Sequence, residues 1–428
     1  MKITIKSKSY ESVMALPRPK HKKPMRPWFA LRLLIRLLAI GALTKTRFSY
    51  RISREDRRRL RREPCLILMN HSCFLDLKIA SKILFPRSYS IVSTTDGMIG
   101  KGWLMRRIGC IPTQKFVSDL GLIRDMKYAL EKKKQSVLMY PEAGYSLDGR
   151  ATVLPPKFGG LLKLLGCPVM MIETEGAFAR DPLYNGLQLR RVKVSATVRC
   201  LATKEEIAEL STEALDARVN EAFSFDAFAW QAENGVKITE PFRADGLERV
   251  LYRCDACGEE GQMVGKGVTL TCHACGRTHR LTELGRLEAT EGETRFPHVP
   301  DWYDWQRACV KREVEEGRYR LDTDIKIVML VDEKALYAVG DGHLSHDENG
   351  FLLTGCDGAL RYAQKPLASY TLNADFFWYE IGDVIGIGNR DALYYCFPQD
   401  GASVTKARLA TEEIYRIQSA KARREEKK

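Results

Sequence analysis

The chain has a histidine and an aspartate five positions apart, His71 and Asp76, directly after an apolar run at residues 64–69. Such a run is typical of a buried strand, so the pair would lie where a strand reaches a surface turn. A neutral imidazole can remove a proton from an alcohol near pH 7 when a carboxylate binds its other nitrogen, because the carboxylate fixes the tautomer and offsets the developing charge. The same spacing also occurs by chance, and a histidine that only hydrogen-bonds within a turn is the alternative.

A second polar string, residues 140–149, also follows a strand-like run and reads Tyr-Pro-Glu-Ala-Gly-Tyr-Ser-Leu-Asp-Gly. Together the two strings resemble the glycerolipid acyltransferase family, whose first motif is Asn-His-x4-Asp and whose third is Phe-Pro-Glu-Gly-Thr-Arg-Ser. The first motif is complete at residues 70–76. In the third motif this chain has Tyr140 in place of phenylalanine, and it departs at Ala143, Gly144 and Tyr145, the last of which is arginine in the family. The motif positions that the chain keeps are Pro141, Glu142 and Ser146.

Two further stretches fall in the order that the family has. Residues 109–115 resemble the second motif, although that motif ends in arginine and this chain has Lys115 there. Residues 167–169 resemble the fourth motif. The resemblance covers residues 28–245, and the order of the strings makes it far more specific than any one of them. It implies the glycerolipid acyltransferase fold, a mixed sheet flanked by helices.

The resemblance implies acyl transfer from a thioester donor, on coenzyme A or acyl carrier protein, to the hydroxyl of a lysophospholipid such as 1-acylglycerol-3-phosphate. It implies that His71 is the general base and that Asp76 orients it. The positions implied for placing substrate are Lys115, Glu142, Tyr145 and Ser146. Lys115 keeps a charge but lacks the two-pronged fit of arginine to phosphate, and Tyr145 offers only a hydroxyl. These departures motivate a second hypothesis, a non-catalytic adaptor at a membrane surface that keeps the acyltransferase scaffold.

The positive charge of the chain is concentrated near its N-terminus. The formal net charge is +14, and residues 1–64 hold 19 Lys and Arg against 4 Asp and Glu, so the remainder is nearly neutral. Residues 28–43 are apolar apart from Arg32 and Arg36, which share one helix face. A helix of this length is ~24 Å long, short of the ~30 Å hydrocarbon core of a bilayer. We predict an amphipathic helix in the plane of an anionic membrane, at its cytoplasmic face; a core helix with a solvated basic arm is the alternative.

Four of the twelve cysteines are arranged in two Cys-x2-Cys-Gly knuckles. The knuckle cysteines are Cys254, Cys257, Cys272 and Cys275. Two such turns joined by a hairpin give the four-sulfur cage that zinc favours, and the pattern resembles zinc ribbons, with iron in a rubredoxin-like site as the alternative. A closed four-thiolate site has no position left for substrate, so we expect a structural metal. The remaining cysteines are scattered singly through the chain, which is typical of a reduced cytosolic protein.

Zinc ribbons often bind nucleic acid, but the composition argues against that partner here. The excess of basic residues lies before residue 64, far upstream of the ribbon, and the ribbon region has no aromatic-interleaved basic stripe. We expect the ribbon either to stiffen a connection or to dock a protein partner.

The hydrophobic pattern predicts an α/β unit followed by a β-rich region. Strand-like runs lie at 65–69, 88–92, 136–139, 169–173 and 190–201, and helical patterns lie at 75–84, 119–132, 157–165 and 203–223. Seven short strand-like runs between residues 324 and 397 precede a helical tail at 405–424, which suggests a small barrel or sandwich closed by a helix. The expected domains are a basic segment (1–50), the acyltransferase-like unit (51–245), the ribbon (250–282), a linker with a helix (283–322) and the β-rich domain (323–428).

Overall fold

The computed structural model of the chain describes residues 3–115, 119–186, 188–399 and 403–425. The first elements are strand β1 (Ile5–Ser7) and helices α1 (Tyr10–Met14) and α2 (Phe29–Lys45). An α/β unit follows. Its strands are β2 (Ser49–Ile52), β3 (Leu66–Met69), β4 (Tyr89–Thr94), β5 (Cys110–Thr113), β6 (Ser136–Met139), β7 (Val169–Glu175) and β8 (Ser195–Ala202). Its helices are α3 (Arg54–Arg62), α4 (Asp76–Leu84), α5 (Gly102–Arg107), α6 (Leu120–Glu131), α7 (Phe158–Leu165), α8 (Ala177–Arg180), α9 (Lys204–Glu209), α10 (Thr212–Ala222) and α11 (Ala227–Glu233).

The strands of this unit form one mixed sheet in the order β2-β8-β7-β3-β6-β4-β5. Neighbours are parallel except for β7 and β8, which are antiparallel. All four residues of β3 are buried, as a continuous apolar run in a central strand requires. Because the carboxyl ends of parallel strands meet at one edge, the segments that follow β3, β4, β5 and β6 lie together there. The prediction of a mixed sheet flanked by helices is confirmed.

Two expected elements differ in extent. Residues 203–223 form two helices, α9 and α10, because Leu210 is extended and Ser211 caps the second helix by accepting the backbone N–H of Ala214. The strand expected from residue 190 begins at Ser195. Arg190 is buried before that strand, where its guanidinium donates to the Asn185 side chain. A buried guanidinium needs such hydrogen-bond partners, so Arg190 lies in the loop before the strand. The alternating pattern from residue 190 therefore overestimates the length of the strand.

The ribbon is a small antiparallel sheet that follows the α/β unit and precedes the C-terminal region in the chain. Its strands are β9 (Met263–Lys266), β10 (Thr269–Cys272), β11 (Thr278–Leu281) and β12 (Leu287–Ala289), so the sheet extends past the expected boundary at residue 282. Helix α12 (Val299–Glu315) packs against it. The indole of Trp302 donates to the carbonyl of Arg253 at 2.9 Å, and Gln306 accepts the Arg253 backbone N–H at 2.9 Å.

The C-terminal region is strand-rich and ends in helix α13 (Val404–Glu425). Its strands are β13 (Leu321–Leu330), β14 (Leu336–Asp347), β15 (Gly350–Gly355), β16 (Leu360–Gln364), β17 (Asn373–Trp378), β18 (Gly382–Gly388) and β19 (Leu393–Pro398). They form one antiparallel sheet in the order β16-β15-β14-β13-β19-β18-β17. Strand β1 pairs with β14 in parallel, so Ile5–Ser7, at the start of the expected basic segment, add a strand to this sheet.

Strand β14 is much longer than its sequence suggests. The pattern indicates a break at Gly340, but the strand continues to Asp347. Gly340 has a φ of +128°, and the pairing with β13 shifts between Ile327 and Val328, which marks a bulge. A glycine in a strand can therefore mark an extra residue in the ladder and not the end of the strand.

Helix α2 spans 17 residues, about 25 Å at ~1.5 Å per residue. Among the described residues, no helix combines the length and the apolar character needed to cross a membrane. Ala39 and Leu43 of α2 are buried against the α/β unit. The opposite face of α2 is apolar and exposed, with Leu37 at 54% and Leu38 at 70% exposure.

Candidate active site

The imidazole of His71 lies just past the carboxyl end of β3, in the turn that leads into α4. Its Nδ1 is 2.8 Å from Oδ2 of Asp76, the first residue of α4. The Asp76 side chain is 2% exposed, whereas the His71 side chain keeps 22% of its surface exposed. The structure therefore brings together the two residues that the first motif separates by five positions, with the carboxylate inside and the imidazole partly open.

The hydrogen bonds of Asp76 define which nitrogen of His71 carries the proton. Oδ2 of Asp76 also accepts the backbone N–H groups of Ser72 at 3.0 Å and Cys73 at 3.3 Å. An oxygen that accepts from two backbone donors has the role of a carboxylate, so the hydrogen of the third bond belongs to Nδ1 of His71. The neutral ring then carries its lone pair on Nε2. Such a nitrogen can accept a proton from a bound hydroxyl.

Glu142 ties this turn to the loop that follows β6. The residue is fully buried, its Oε2 accepts the backbone N–H of His71 at 2.7 Å, and its Oε1 accepts that of Thr152 at 3.2 Å. Burial raises the pKa of Glu142 to about 8, and the two backbone donors oppose that shift. The backbone N–H of Ser146 in turn donates to the His71 carbonyl at 3.2 Å. The loop thus fixes the backbone of His71 on both sides.

Two tyrosines pack against the His71 ring. The ring centroid of Tyr140 is 4.3 Å from that of His71, with an interplanar angle of 29°. The centroid of Tyr145 is 4.1 Å away, with an angle of 35°. Phe74, which is 58% exposed, lies 5.4 Å from Tyr145 and extends this aromatic cluster to the surface. The third motif therefore places its two tyrosines where they restrict the orientation of the imidazole.

The other positions implied for substrate have protein partners. The hydroxyl of Ser146 donates to the Arg150 carbonyl at 2.6 Å and accepts the Gly149 backbone N–H at 2.9 Å. Ser146 and Glu142 are buried, and their polar atoms bond to backbone groups of the loop and of His71, so both side chains support the loop. Lys115, just after β5, donates to Oδ1 of Asn373 in the C-terminal sheet at 3.3 Å.

Comparison with known proteins identifies the unit that carries this site. The family model described as Acyltransferase matches residues 51–170, a range that contains His71, Asp76, Lys115, Glu142 and Tyr145. Residues 51–170 are therefore similar in sequence to the acyltransferase family. The resemblance to the glycerolipid acyltransferases is thereby confirmed.

One solved structure similar to this chain is the 1-acyl-sn-glycerophosphate acyltransferase PlsC from Thermotoga maritima. It is 13% identical, and the match covers 44% of this chain and 79% of that one with a TM-score of 0.33. A likeness of that size supports no conclusion about this chain by itself. No curated protein matches the chain significantly.

A four-cysteine cluster lies outside the acyltransferase domain, in the ribbon. Sγ of Cys254 is 3.7 Å from Sγ of Cys275, Sγ of Cys257 is 3.8 Å from that of Cys272, and all four sulfurs lie within 4.8 Å of one another. A tetrahedron with Zn–S distances of ~2.3 Å has sulfurs about 3.8 Å apart, so the four thiolates fit such an ion. Each knuckle closes on a glycine with positive φ, Gly258 or Gly276, as the tight turn requires. The cluster could hold a metal ion.

Three residues near the acyltransferase site were not identified from the sequence. Tyr140 was noted only as a change from phenylalanine, although its position after β6 signals that it lies at the same edge as His71. Asn373 and Asp375 of β17 reach Lys115 from a part of the chain more than 250 residues away. No local sequence pattern predicts such a contact, because the contact depends on how the C-terminal sheet packs against the α/β unit.

Proposed function

We propose that the protein is an O-acyltransferase that moves a fatty acyl group from a thioester donor to the hydroxyl of a lysophospholipid such as 1-acylglycerol-3-phosphate, in phospholipid synthesis or remodelling. The observation that carries the proposal is the hydrogen bond of 2.8 Å between His71 and the buried Asp76. The donor is acyl-coenzyme A or acyl-acyl carrier protein. The family assignment of residues 51–170 supports acyl transfer, and the partly open imidazole supports a role as general base.

In the proposed reaction, Nε2 of His71 accepts the proton of the acceptor hydroxyl as the oxygen attacks the thioester carbonyl carbon. The negative charge of Asp76 stabilises the imidazolium that forms. The carbon–sulfur bond then breaks, and the departing sulfur takes the proton from Nε2. The new ester and a free thiol are the products, and His71 returns to its neutral form, so no acyl-enzyme is needed. Tyr140 and Tyr145 act as positioning residues that limit rotation of the ring.

The proposed location is the cytoplasmic face of an anionic membrane. Five residues of α2 form an exposed apolar face: Leu33, Leu34, Leu37, Leu38 and Ile40. Arg107, near the start of α2, lies over the exposed ring of Trp28 at 4.8 Å and over that of Trp103 at 5.4 Å. Tryptophan and arginine suit the interface between headgroups and acyl chains, and a leucine face suits the layer beneath it.

The proposed metal is a structural zinc ion held by the four cysteines of the ribbon. The sulfur separations support zinc, although a rubredoxin-like iron site has similar dimensions. Bound metal supplies folding energy to a small sheet with a limited core of its own. Because the ribbon packs on α12 through Trp302, such an ion would stiffen the connection between the acyltransferase domain and the C-terminal sheet.

Turnover separates this proposal from the adaptor hypothesis. The purified full-length protein is incubated with acyl-coenzyme A or acyl-acyl carrier protein and a panel of lysophospholipids, and the release of free thiol is followed. An acyltransferase releases thiol only when an acceptor is present. Absence of thiol release with every donor and acceptor, together with retained binding to anionic vesicles, would favour the adaptor.

A further inference from the structure

The C-terminal sheet reaches the acyltransferase site through β17. Nζ of Lys115 donates to Oδ1 of Asn373 at 3.3 Å and lies 4.0 Å from Oδ2 of Asp375. Just past the end of β17, the hydroxyl of Tyr379 donates to Oδ2 of Asp96 at 3.5 Å. The one lysine that the sequence suggested for phosphate therefore already has a neutral and an acidic partner from the second domain.

A separate contact holds the two domains together away from Lys115. Arg106 of α5 forms an ion pair with Glu333 in the turn between β13 and β14, with Nη1 of Arg106 2.6 Å from Oε2. The backbone N–H of Gly100 also donates to the Glu333 carbonyl at 2.8 Å. The docking of the sheet is thus supported independently of Asp375, and the effect of the Asp375 charge can be separated from the effect of docking.

Negative charge acts on the aromatic cluster at His71. Burial raises the pKa of Tyr145 well above its ordinary value, and the negative charges of Asp76, Asp375 and Asp181 raise it further. Burial also raises the pKa of Asp375, and the positive charge of Lys115 opposes the shift, as does that of His71 when its imidazole is protonated. The carboxylate of Asp375 therefore acts electrostatically on the same imidazole that would receive the hydroxyl proton.

Two cations near the site each have an acid beside them. Lys115 faces Asp375, and Arg180 lies near Asp181, whose pKa is raised by burial and lowered by that arginine. Asp76 remains as a further negative charge beside His71. A phosphate monoester brings almost two negative charges, which such surroundings disfavour, whereas an ammonium group complements them.

We propose that the acceptor is a lysophospholipid whose phosphate is a diester with an ammonium headgroup, and that Asp375 is the residue that selects it over a phosphate monoester. The inference rests on the proposed function and narrows its acceptor. Asp375 removes the attraction that Lys115 would otherwise exert on a monoester, and it attracts the ammonium group. The C-terminal sheet thereby contributes to acceptor specificity.

The test compares kcat/KM for two acceptors, lysophosphatidylethanolamine and 1-acylglycerol-3-phosphate, using full-length protein, one acyl-coenzyme A and thiol release. The wild type is expected to prefer the zwitterionic acceptor by roughly tenfold or more, since one charge at short range is worth at least that much. Asp375→Asn should shift the ratio about tenfold towards the monoester because it leaves Lys115 unopposed. Lys115→Met should shift it the opposite way. Glu333→Gln weakens docking without altering the charges at the site and should leave the ratio unchanged.

The outcomes are distinguishable. A wild-type preference for the monoester contradicts the inference while leaving acyl transfer in place. A ratio that Glu333→Gln shifts as much as Asp375→Asn does would show that docking, and not the charge of Asp375, sets specificity, and it overturns the assignment. Shifts of the same sign for Asp375→Asn and Lys115→Met also overturn it. Thiol release with neither acceptor contradicts the proposed function itself, and the inference falls with it.

Discussion

The ring of Tyr145 packs on the imidazole of His71 with centroids 4.1 Å apart. The glycerolipid acyltransferase family has arginine at the position of Tyr145. The side chain thus orients the imidazole. Tyr145→Phe keeps the ring and should change kcat by less than about twofold. Tyr145→Ala removes a contact of about 1 kcal/mol and should lower kcat roughly fivefold. Steady-state thiol release measures both, and equal losses in the two variants would show that the hydroxyl acts instead of the ring.

The four-cysteine cluster predicts that each chain binds one metal ion. The purified protein should contain about one zinc per chain, and Cys257→Ser should lose it and unfold at a lower temperature because three thiolates hold the ion less tightly. Cys167→Ser, at a single half-buried cysteine of the acyltransferase domain, is the matched control. Elemental analysis and thermal unfolding check the prediction. Unchanged zinc content in Cys257→Ser would contradict it, and iron in place of zinc would identify a rubredoxin-like site.

A histidine–aspartate pair predicts a pH-dependent stability. Nε2 of His298 is 2.9 Å from Oδ2 of Asp226, and this hydrogen bond raises the pKa of His298. The pair's contribution is therefore fully present below the ordinary histidine pKa of ~6.5 and is lost as the pH rises through the raised value. For a half-exposed pair it amounts to about 1 kcal/mol at most.

His298→Gln tests this dependence, because glutamine can donate to Asp226 at any pH. The unfolding free energy of the wild type should exceed that of the variant at pH 6, and the difference should shrink by pH 9. Denaturant unfolding at the two pH values measures it. The pKa of Asp226 is lowered, since hydrogen bonding outweighs burial, so the pair also weakens when strong acid protonates that carboxylate. A difference that stays constant from pH 6 to pH 9 would refute the assignment.

The exposed face of α2 predicts binding to anionic vesicles. Leu38→Glu places a charge where the proposal has acyl chains, and since a buried leucine is worth about 2 kcal/mol, vesicle binding should fall at least roughly tenfold. Leu164→Glu alters a similarly exposed leucine on α7 and is the control. Co-sedimentation with vesicles measures both. Point variants are preferable to deleting the N-terminus, because Ile5–Ser7 pairs with β14. Equal binding by wild type and Leu38→Glu would place the anchor elsewhere.

The local features of the acyltransferase domain follow from the sequence. The strand before His71 is a continuous apolar run, and the spacing to Asp76 matches one turn into a helix, so both could be anticipated. The roles of Glu142 and Ser146 were harder to judge, because whether a carboxylate faces substrate or its own backbone depends on which donors the fold brings within 3 Å. Here the donors are the N–H groups of His71 and Thr152.

Long-range relations could not be anticipated in the same way. The pairing of Ile5–Ser7 with Leu336–Ala338 joins segments more than 300 residues apart, and three residues with no strong pattern carry no signal for it. The contact of Lys115 with Asn373 likewise depends on the docking of two domains. Residue types near these contacts are ordinary, so only the assembled fold reveals them.

The most direct measurement of the central claim is the rate of thiol release by His71→Ala with a lysophospholipid acceptor. If His71 is the base, the variant should lose about 100-fold or more in kcat. His343→Ala is the matched control, since His343 also pairs with aspartates, Asp322 and Asp324, but lies exposed on the C-terminal sheet. Its rate should equal that of the wild type. A His71→Ala protein that is folded and releases thiol at the wild-type rate would contradict the account.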